Sequence, residues 1–270
     1  MDCSNAVGNL PPQLSRFVEG VRVLKPISGV PAYRVAHYPD GGITMMLRFP
    51  HGFRQLSGAG NAEICVSGPR QHALFRDFAA VGLTVLIRFR PGVAGLLLGS
   101  PAEDLRDRVV PVEEIWGQEG SRLREAVMVT QGVREMLSHV HAFLEKRERA
   151  VESRSGQIAR RAVELIRHKH IAPRVKHVAG RLGVTERHLR RVFQESVGLT
   201  PKDYLRIQRL GRVLRASRGG VNWAQLAVEA GYYDQAHMIG EFREFIGLSP
   251  SAYVESQRST PAISSLCPYM

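Results

Sequence analysis

The chain has 270 residues, enough for two modest domains, and its composition (44% hydrophobic, 23% charged) is that of a globular protein. Of the net charge of +12, residues 1–150 carry +3 (18 Lys/Arg, 15 Asp/Glu) and residues 151–258 carry +9 (19 against 10), so nucleic acid is the partner expected for the second part. The three cysteines are widely separated and odd in number, so they indicate neither a disulfide framework nor a zinc site.

The first ten residues have neither a basic nor an apolar signal region, and no apolar run approaches the ~18 residues of a membrane span. We therefore expect a cytoplasmic protein without a membrane partner.

Residues 1–120 alternate short apolar stretches with turn formers, which predicts a β-rich domain in the form of a small barrel or sandwich. Strands are expected over residues 21–24, 33–38, 43–49, 63–66 and 83–89. Asp40-Gly41-Gly42 is a hairpin-turn signal, 57–61 is a loop, and 101–107 is a short helix.

The histidines of this part, His37, His51 and His72, lie on separate segments, whereas a metal site needs clustered ligands. Cys65 lies in an apolar strand and is expected to be a buried, inert thiol. No catalytic set, phosphate loop or cofactor motif is present. The first part therefore reads as a binding module rather than an enzyme.

Arginines lie in or beside three of the predicted strands, at positions 34, 48 and 70. They could pair with an acidic ligand, although exposed surface arginines are the plainer interpretation. The sequence specifies no ligand.

Residues 121–150 are predicted to form one long amphipathic helix, because apolar positions recur at alternating spacings of three and four. The stripe consists of Leu123, Ala126, Thr130, Val133, Leu137, Val140 and Leu144. Such a stripe either dimerises or packs on the chain's own barrel. A charged linker over 145–154 then separates residues 121–154 from a second domain over 155–258, with 259–270 as a tail.

An internal repeat dominates the second domain. The copies are offset by 48 residues up to a shared glycine and by 49 after it. The first copy consists of Ala179, Gly183, Leu189, Phe193, Gly198, Thr200, Pro201 and Tyr204, and the second of Ala227, Gly231, Met238, Phe242, Gly247, Ser249, Pro250 and Tyr253.

Each copy has the pattern of a helix-turn-helix. In the first, Gly183 suits the left-handed end of one helix and Thr185 can cap the next. The second helix turns an apolar face inward, whereas Arg187, Arg190 and Arg191 form an outward stripe. That stripe favours a helix that reads bases in the major groove; a solvated charged face is the alternative.

Pro201 suits the first turn of a helix that continues to about residue 218 and joins the two copies. A rod of ~17 residues spans about 26 Å and can hold two reading helices near one DNA turn apart, ~34 Å. Backbone N–H groups after Thr200, together with Lys176 and Lys202, are the predicted phosphate contacts.

The second copy lacks the arginine stripe: aligned positions hold Ala236, Ile239 and Gly240. Gln235 and His237 remain as candidate base contacts. The net charge shows the same difference between the copies: residues 151–218 carry +12 (17 Lys/Arg, 5 Asp/Glu), whereas residues 219–258 carry −3 (2 Lys/Arg, 5 Asp/Glu). The first copy is therefore predicted to supply most DNA affinity.

These motifs, over about residues 155–257, resemble the DNA-binding domain of the AraC/XylS family of bacterial transcription regulators. The resemblance implies an α+β chain with a cupin-like N-terminal sensor and an all-α tandem helix-turn-helix domain. The segments Phe89-Arg90-Pro91-Gly92 and Trp116-Gly117 are similar to such sensors. The family resemblance further implies a regulator that binds double-stranded DNA and responds to a small-molecule effector or a protein partner. It also implies that the regulator dimerises and contacts RNA polymerase. Dimer contacts would be Leu123, Val133, Leu137, Val140 and Leu144.

Two other functions fit parts of the pattern. A DNA-repair or modification enzyme with the same reader would need a reactive cysteine near metal ligands, which the scattered cysteines oppose. A pure protein-binding module is opposed by the basic charge and the arginine stripe.

Overall fold

A computed structural model describes residues 14–25, 32–49, 62–79, 82–147, 153–167, 173–217 and 222–259. The strands are β1 (Val18–Leu24), β2 (Ala32–His37), β3 (Thr44–Phe49), β4 (Glu63–Ser67), β5 (Leu74–Ala79), β6 (Leu83–Phe89) and β7 (Val109–Pro111). All five predicted strands are confirmed. β5 and β7 were not predicted, and the expected loop at 57–61 lies outside the described residues.

An antiparallel sheet in the order β1-β6-β3-β4-β7 forms the centre of the first half. Burial alternates along β3, where Met45, Leu47 and Phe49 are buried, as expected for a strand with one face on a core. β2 pairs with β5 in a separate two-stranded sheet, with Ala32 opposite Ala79 and His37 opposite Leu74.

The hairpin predicted at Asp40-Gly41-Gly42 is wrong, because β2 and β3 belong to different sheets. Asp40 fixes this turn: Oδ1 accepts a hydrogen bond from Gly42 N at 2.8 Å, and Oδ2 pairs with the Arg88 guanidinium. Gly41 has φ +70°, and a Cβ there would lie 2.5 Å from Cε2 of Tyr204. The turn therefore leads the chain past the second half instead of back along β2.

The single long helix predicted over 121–150 is also wrong, since two helices form, α3 (Gln118–Met128) and α4 (Val133–Glu145). They follow α1 (Ala94–Leu98) and α2 (Val112–Trp116). The break at 129–132 is stabilised locally: Thr130 Oγ1 donates to Val127 O at 2.7 Å, and Gln131 N donates to Glu135 Oε2 at 2.9 Å.

The apolar stripe of these two helices packs on the chain's own sheet. Leu123, Leu137, Val140 and Leu144 are buried in one core with β3 and β6, and Val133 packs against it. The stripe was predicted either to form a dimer or to pack within the chain, and these side chains pack within the chain. A homodimer stays a prediction, and one built on this stripe would have to open the core.

The second half is all-helical. Its elements are α5 (Arg154–Arg167), α6 (Val175–Arg181), α7 (Glu186–Val197), α8 (Pro201–Ala216), α9 (Trp223–Ala230), α10 (Gln235–Ile246) and α11 (Pro250–Ser259). α6 and α7 form the first helix-turn-helix unit, α9 and α10 the second, and α8 connects them. With the sheet in the first half, this confirms the α+β class.

The turn chemistry of both units follows the sequence closely. Gly183 and Gly231 have φ +65° and +91°, so each takes the left-handed conformation after its helix. Thr185 Oγ1 accepts from His188 N at 3.2 Å, which confirms the predicted cap. Pro201 begins α8 as expected.

The first half packs on the C-terminal ends of both α7 and α10. Arg106 Nε donates at 3.0 Å to the carbonyl oxygen of Gly198, which follows α7, and Gln194 Nε2 in the last turn of α7 donates to Glu103 Oε2 at 2.9 Å. A Cβ at Gly198, which has φ +83°, would lie 2.5 Å from the Ala102 carbonyl oxygen. A Cβ on Gly95 would likewise overlap the Glu195 carbonyl.

At the end of α10, Ala73 N donates to Phe245 O at 2.7 Å. His72 Nδ1 lies 3.0 Å from Glu244 O. These contacts satisfy carbonyls that a helix end leaves without intrahelical partners. One face of the first half thus supports both units.

Candidate nucleic-acid interface

The arginine stripe lies where the sequence predicts it. Arg187, Arg190 and Arg191 are exposed on α7, while Leu189 and Phe193 on the opposite face are fully buried. None of the three guanidinium groups forms an ion pair with a described residue, and Arg191 Nη2 lies 3.3 Å from His188 Nδ1. A buried inner face fixes the helix, and the cationic outer face stays available to a polyanion.

The phosphate candidates lie at the starts of helices. Lys176 is exposed in the first turn of α6 and Lys202 in the first turn of α8. The Thr200 hydroxyl, by contrast, serves the fold: it accepts from Asp203 N at 3.1 Å and donates to Asp203 Oδ2 at 2.7 Å. Pro201 has no N–H and Asp203 N is bonded to Thr200, so Lys202 remains as the phosphate candidate at this helix start, beside an acidic side chain.

The second reading helix, α10, exposes a different surface. Gln235 and His237 are exposed in its first turn, where Asp234 Oδ1 accepts from His237 N at 2.7 Å. The His237 ring packs edge-on against the Tyr232 ring, with the two centroids 5.4 Å apart. Gly240 is exposed with open space around it, where the first unit has Arg191.

A buried carboxylate ties α10 to α8. Glu241 Oε1 accepts from Arg206 Nε at 2.6 Å and from Arg209 Nη2 at 3.0 Å, and its side chain is only 3% exposed. Arg206 also pairs with Glu244 at 2.5 Å, and Arg209 stacks over the Tyr232 ring. Burial, together with the nearby Glu241 carboxylate, raises the pKa of Tyr232 well above its ordinary value. These contacts fix the second unit on the connecting helix.

The connecting helix α8 has 16 residues, close to the predicted ~17, and spans about 24 Å at 1.5 Å per residue. Tyr204 in its first turn is completely buried, and its ring meets that of Phe193 at 5.3 Å. Burial raises the Tyr204 pKa far above its ordinary value. The helix is therefore anchored in the core at its start.

A cavity of about 310 Å³ lies in the first half, next to the last turn of α5. Arg70 lines it and is 8% exposed, so the surface interpretation of this arginine is wrong. Arg48 is half-exposed and lies 4.0 Å from Glu63. The Arg34 side chain and His51 lie outside the described residues. His37 also lines the cavity, whereas Cys65 is buried in β4.

Sequence reasoning missed three further residues of this cavity, Glu19, Arg88 and Arg167. Glu19 accepts from Arg88 Nε at 3.1 Å and from Arg167 Nη2 at 2.6 Å. Burial alone would raise the Glu19 pKa, but the charges of Arg88 and Arg167 lower it below its ordinary value. The three lie far apart in the chain and share no local motif, so only the tertiary structure brings them together.

Two helix-turn-helix units joined by one helix, with a cationic stripe on the first reading helix, define a class of DNA-binding protein. Residues 178–256 match the profile of a family described as "Helix-turn-helix domain", and residues 11–111 match a "Domain of unknown function (DUF6597)". The second half of the chain therefore carries a helix-turn-helix domain.

Among curated proteins, the chain is similar to the invasion protein InvF of Salmonella typhi and of Salmonella typhimurium (strain LT2), at 38% identity over 69 residues. The match covers 25% of this chain and 32% of InvF, so the chain spans about a third of the length of these relatives.

No described helix is long and apolar enough to cross a membrane.

Two solved structures are also similar. The DNA-binding domain of AdpA in complex with a target DNA matches 39% of this chain and 93% of that chain, at 24% identity and a TM-score of 0.34. ToxT from Vibrio cholerae matches 87% of this chain and 96% of that chain, at 13% identity and a TM-score of 0.43.

Proposed function

We propose that this protein is a sequence-specific DNA-binding regulator of transcription and has no catalytic activity. One observation carries the proposal: Arg187, Arg190 and Arg191 lie exposed and without ion-pair partners among the described residues, on a helix whose other face is buried. Arginine forks of this kind pair with the O6 and N7 atoms of guanine in the major groove.

The two roles assigned to the basic residues predict different mutant behaviour. Arg191→Ala removes a base contact, so it relaxes sequence preference at one position and weakens the preferred site by about 5- to 150-fold, equivalent to ~1–3 kcal/mol. Lys202→Ala removes a phosphate contact, so it weakens all sequences alike and lowers the salt slope by about one. The reverse pattern would reassign both residues.

The assay is fluorescence anisotropy on DNA upstream of the protein's own gene, with a scrambled duplex of equal length, at several salt concentrations. Arg215→Ala is the matched control, because Arg215 is an exposed arginine on α8 that belongs neither to the arginine stripe nor to the predicted phosphate contacts. Equal affinity for both duplexes would leave only nonspecific DNA binding and would refute sequence-specific regulation.

The proposal extends to further partners. A small-molecule effector would occupy the cavity beside α5, because that cavity adjoins segments that support the DNA-binding half. A homodimer, a contact with RNA polymerase and a cytoplasmic location complete the proposal. The dimer needs a surface other than the buried stripe of α3 and α4.

A further inference from the structure

The turns of the two helix-turn-helix units follow the same course at first. In the first unit, Val184 N donates to Ala179 O at 3.1 Å. In the second unit, Tyr232 N donates to Ala227 O at 2.9 Å, and both of these residues lie 48 positions further along the chain. Both side chains, Val184 and Tyr232, pack in the same core. The two residues therefore occupy equivalent places.

The two units correspond again at the caps of α7 and α10, but with a shift of 49 positions. Thr185 Oγ1 accepts from His188 N at 3.2 Å, and Asp234 Oδ1 accepts from His237 N at 2.7 Å. Thr185 directly follows the turn of the first unit, whereas Tyr233 separates Asp234 from the turn of the second. Tyr233 is therefore the one residue that the second turn has in addition.

The added residue exposes a large aromatic side chain. Tyr233 is 90% exposed, more than any other large hydrophobic residue that the structure describes, and its hydroxyl forms no hydrogen bond with a described residue. Its neighbours are fixed: the Tyr232 ring is buried beneath the Arg209 guanidinium, and Asp234 caps α10. Tyr233 thus adds nothing to the core, but it is held at the start of α10 beside the predicted base contacts.

A neutral hydrogen-bond donor suits the charge of the second unit. Residues 219–258 carry −3, and Gly240 stands where the first unit has Arg191. Tyrosine is one of the uncharged side chains that contact phosphate and sugar in DNA complexes. When the first turn of a recognition helix contacts base edges, the residue before its cap lies at the edge of the groove, where the sugar–phosphate chain runs.

We propose that Tyr233 contacts the DNA backbone at the second unit, with its hydroxyl donating a hydrogen bond to a phosphate oxygen and its ring covering the adjacent sugar. This inference rests on the proposed DNA binding and adds a residue to that interface. The contact carries no sequence information, but it orients α10 so that Gln235 and His237 face the bases. Because the tyrosine is neutral, the contact releases no counterion.

The test measures the affinity of the full chain for the promoter duplex and for its scrambled counterpart by fluorescence anisotropy, at several salt concentrations. Tyr233→Phe removes only the hydroxyl, and Tyr233→Ala removes the ring as well. We expect Tyr233→Phe to weaken both duplexes by about 2- to 12-fold, as for the loss of one hydrogen bond, and Tyr233→Ala to weaken them further. The salt slope should stay unchanged in both variants, whereas Lys202→Ala lowers it by about one.

Leu248→Ala is the matched control, because Leu248 is an exposed apolar residue of the same unit at the opposite end of α10. The 12 residues of this helix place the two ends about 18 Å apart, so this variant should bind DNA like the wild type. Circular dichroism checks that all variants are folded, as expected for exposed positions.

An unchanged affinity of Tyr233→Phe, a lowered salt slope in either Tyr233 variant, or an equal loss in Leu248→Ala would overturn the inference. A wild-type chain that does not distinguish the two duplexes would instead refute the proposed function. A wild-type chain that does distinguish them, with Tyr233 variants of unchanged affinity, would refute the backbone contact alone.

Discussion

Glu241 is expected to be the costliest acidic residue of the second unit to replace. In Glu241→Gln the amide keeps the shape but removes the charge that Arg206 and Arg209 share at 2.6 and 3.0 Å. Removing one partner of a buried ion pair costs about 3–5 kcal/mol. The lower end applies here, because Arg206 retains Glu244 and both arginine side chains are about a fifth exposed, at 24% and 19%.

Glu244→Gln is the matched control on the same helix. Its carboxylate also binds Arg206, at 2.5 Å, but its side chain is 47% exposed, so its loss should cost at most about 1 kcal/mol. Urea unfolding of the two variants, followed by circular dichroism, measures the difference. Equal costs, or a cost for Glu241→Gln below about 1 kcal/mol, would show that burial does not strengthen this network.

Three further outcomes are expected. Replacing Gln235 and His237 together with Ala should weaken operator binding less than Arg191→Ala, and equal footprints over two successive major grooves would contradict this asymmetry. Leu137→Asp should abolish folding rather than yield a soluble monomer, as judged by circular dichroism and light scattering, because the side chain lies in the core. Glu19 has a lowered folded-state pKa, so its stabilising contribution is present above its ordinary value of 4.5 and is lost as pH falls through the lower, folded-state value. Glu19→Gln should therefore flatten this part of the curve of unfolding free energy against pH.

The second half was predictable because its signals are local. Gly183, Thr185 and Pro201 each specify a helix end by their own backbone chemistry, and the repeat supplies each signal twice. The arginine stripe follows from helix periodicity alone. Its exposed position on α7 agrees with the prediction.

The first half was less predictable because its decisive contacts join distant segments. The turn at Asp40 depends on Arg88, which comes 48 residues later, so a local hairpin signal pointed to the wrong pairing. The spacing that predicted one helix over 121–150 continues across 129–132, where Thr130 and Glu135 instead stabilise a break. Arg70 reads as a surface residue because burial of a cation depends on partners that sequence does not reveal.

The close approach of the two halves restricts how the chain can be recombined with its relatives. Gly95 and Gly198 leave room only for hydrogen atoms where the backbone of the other half passes. A chimera that joins this first half to a different DNA-binding half must therefore keep a small residue on each side of the junction, whatever the length of its linker. Exchange of first halves between relatives is therefore limited by this surface fit.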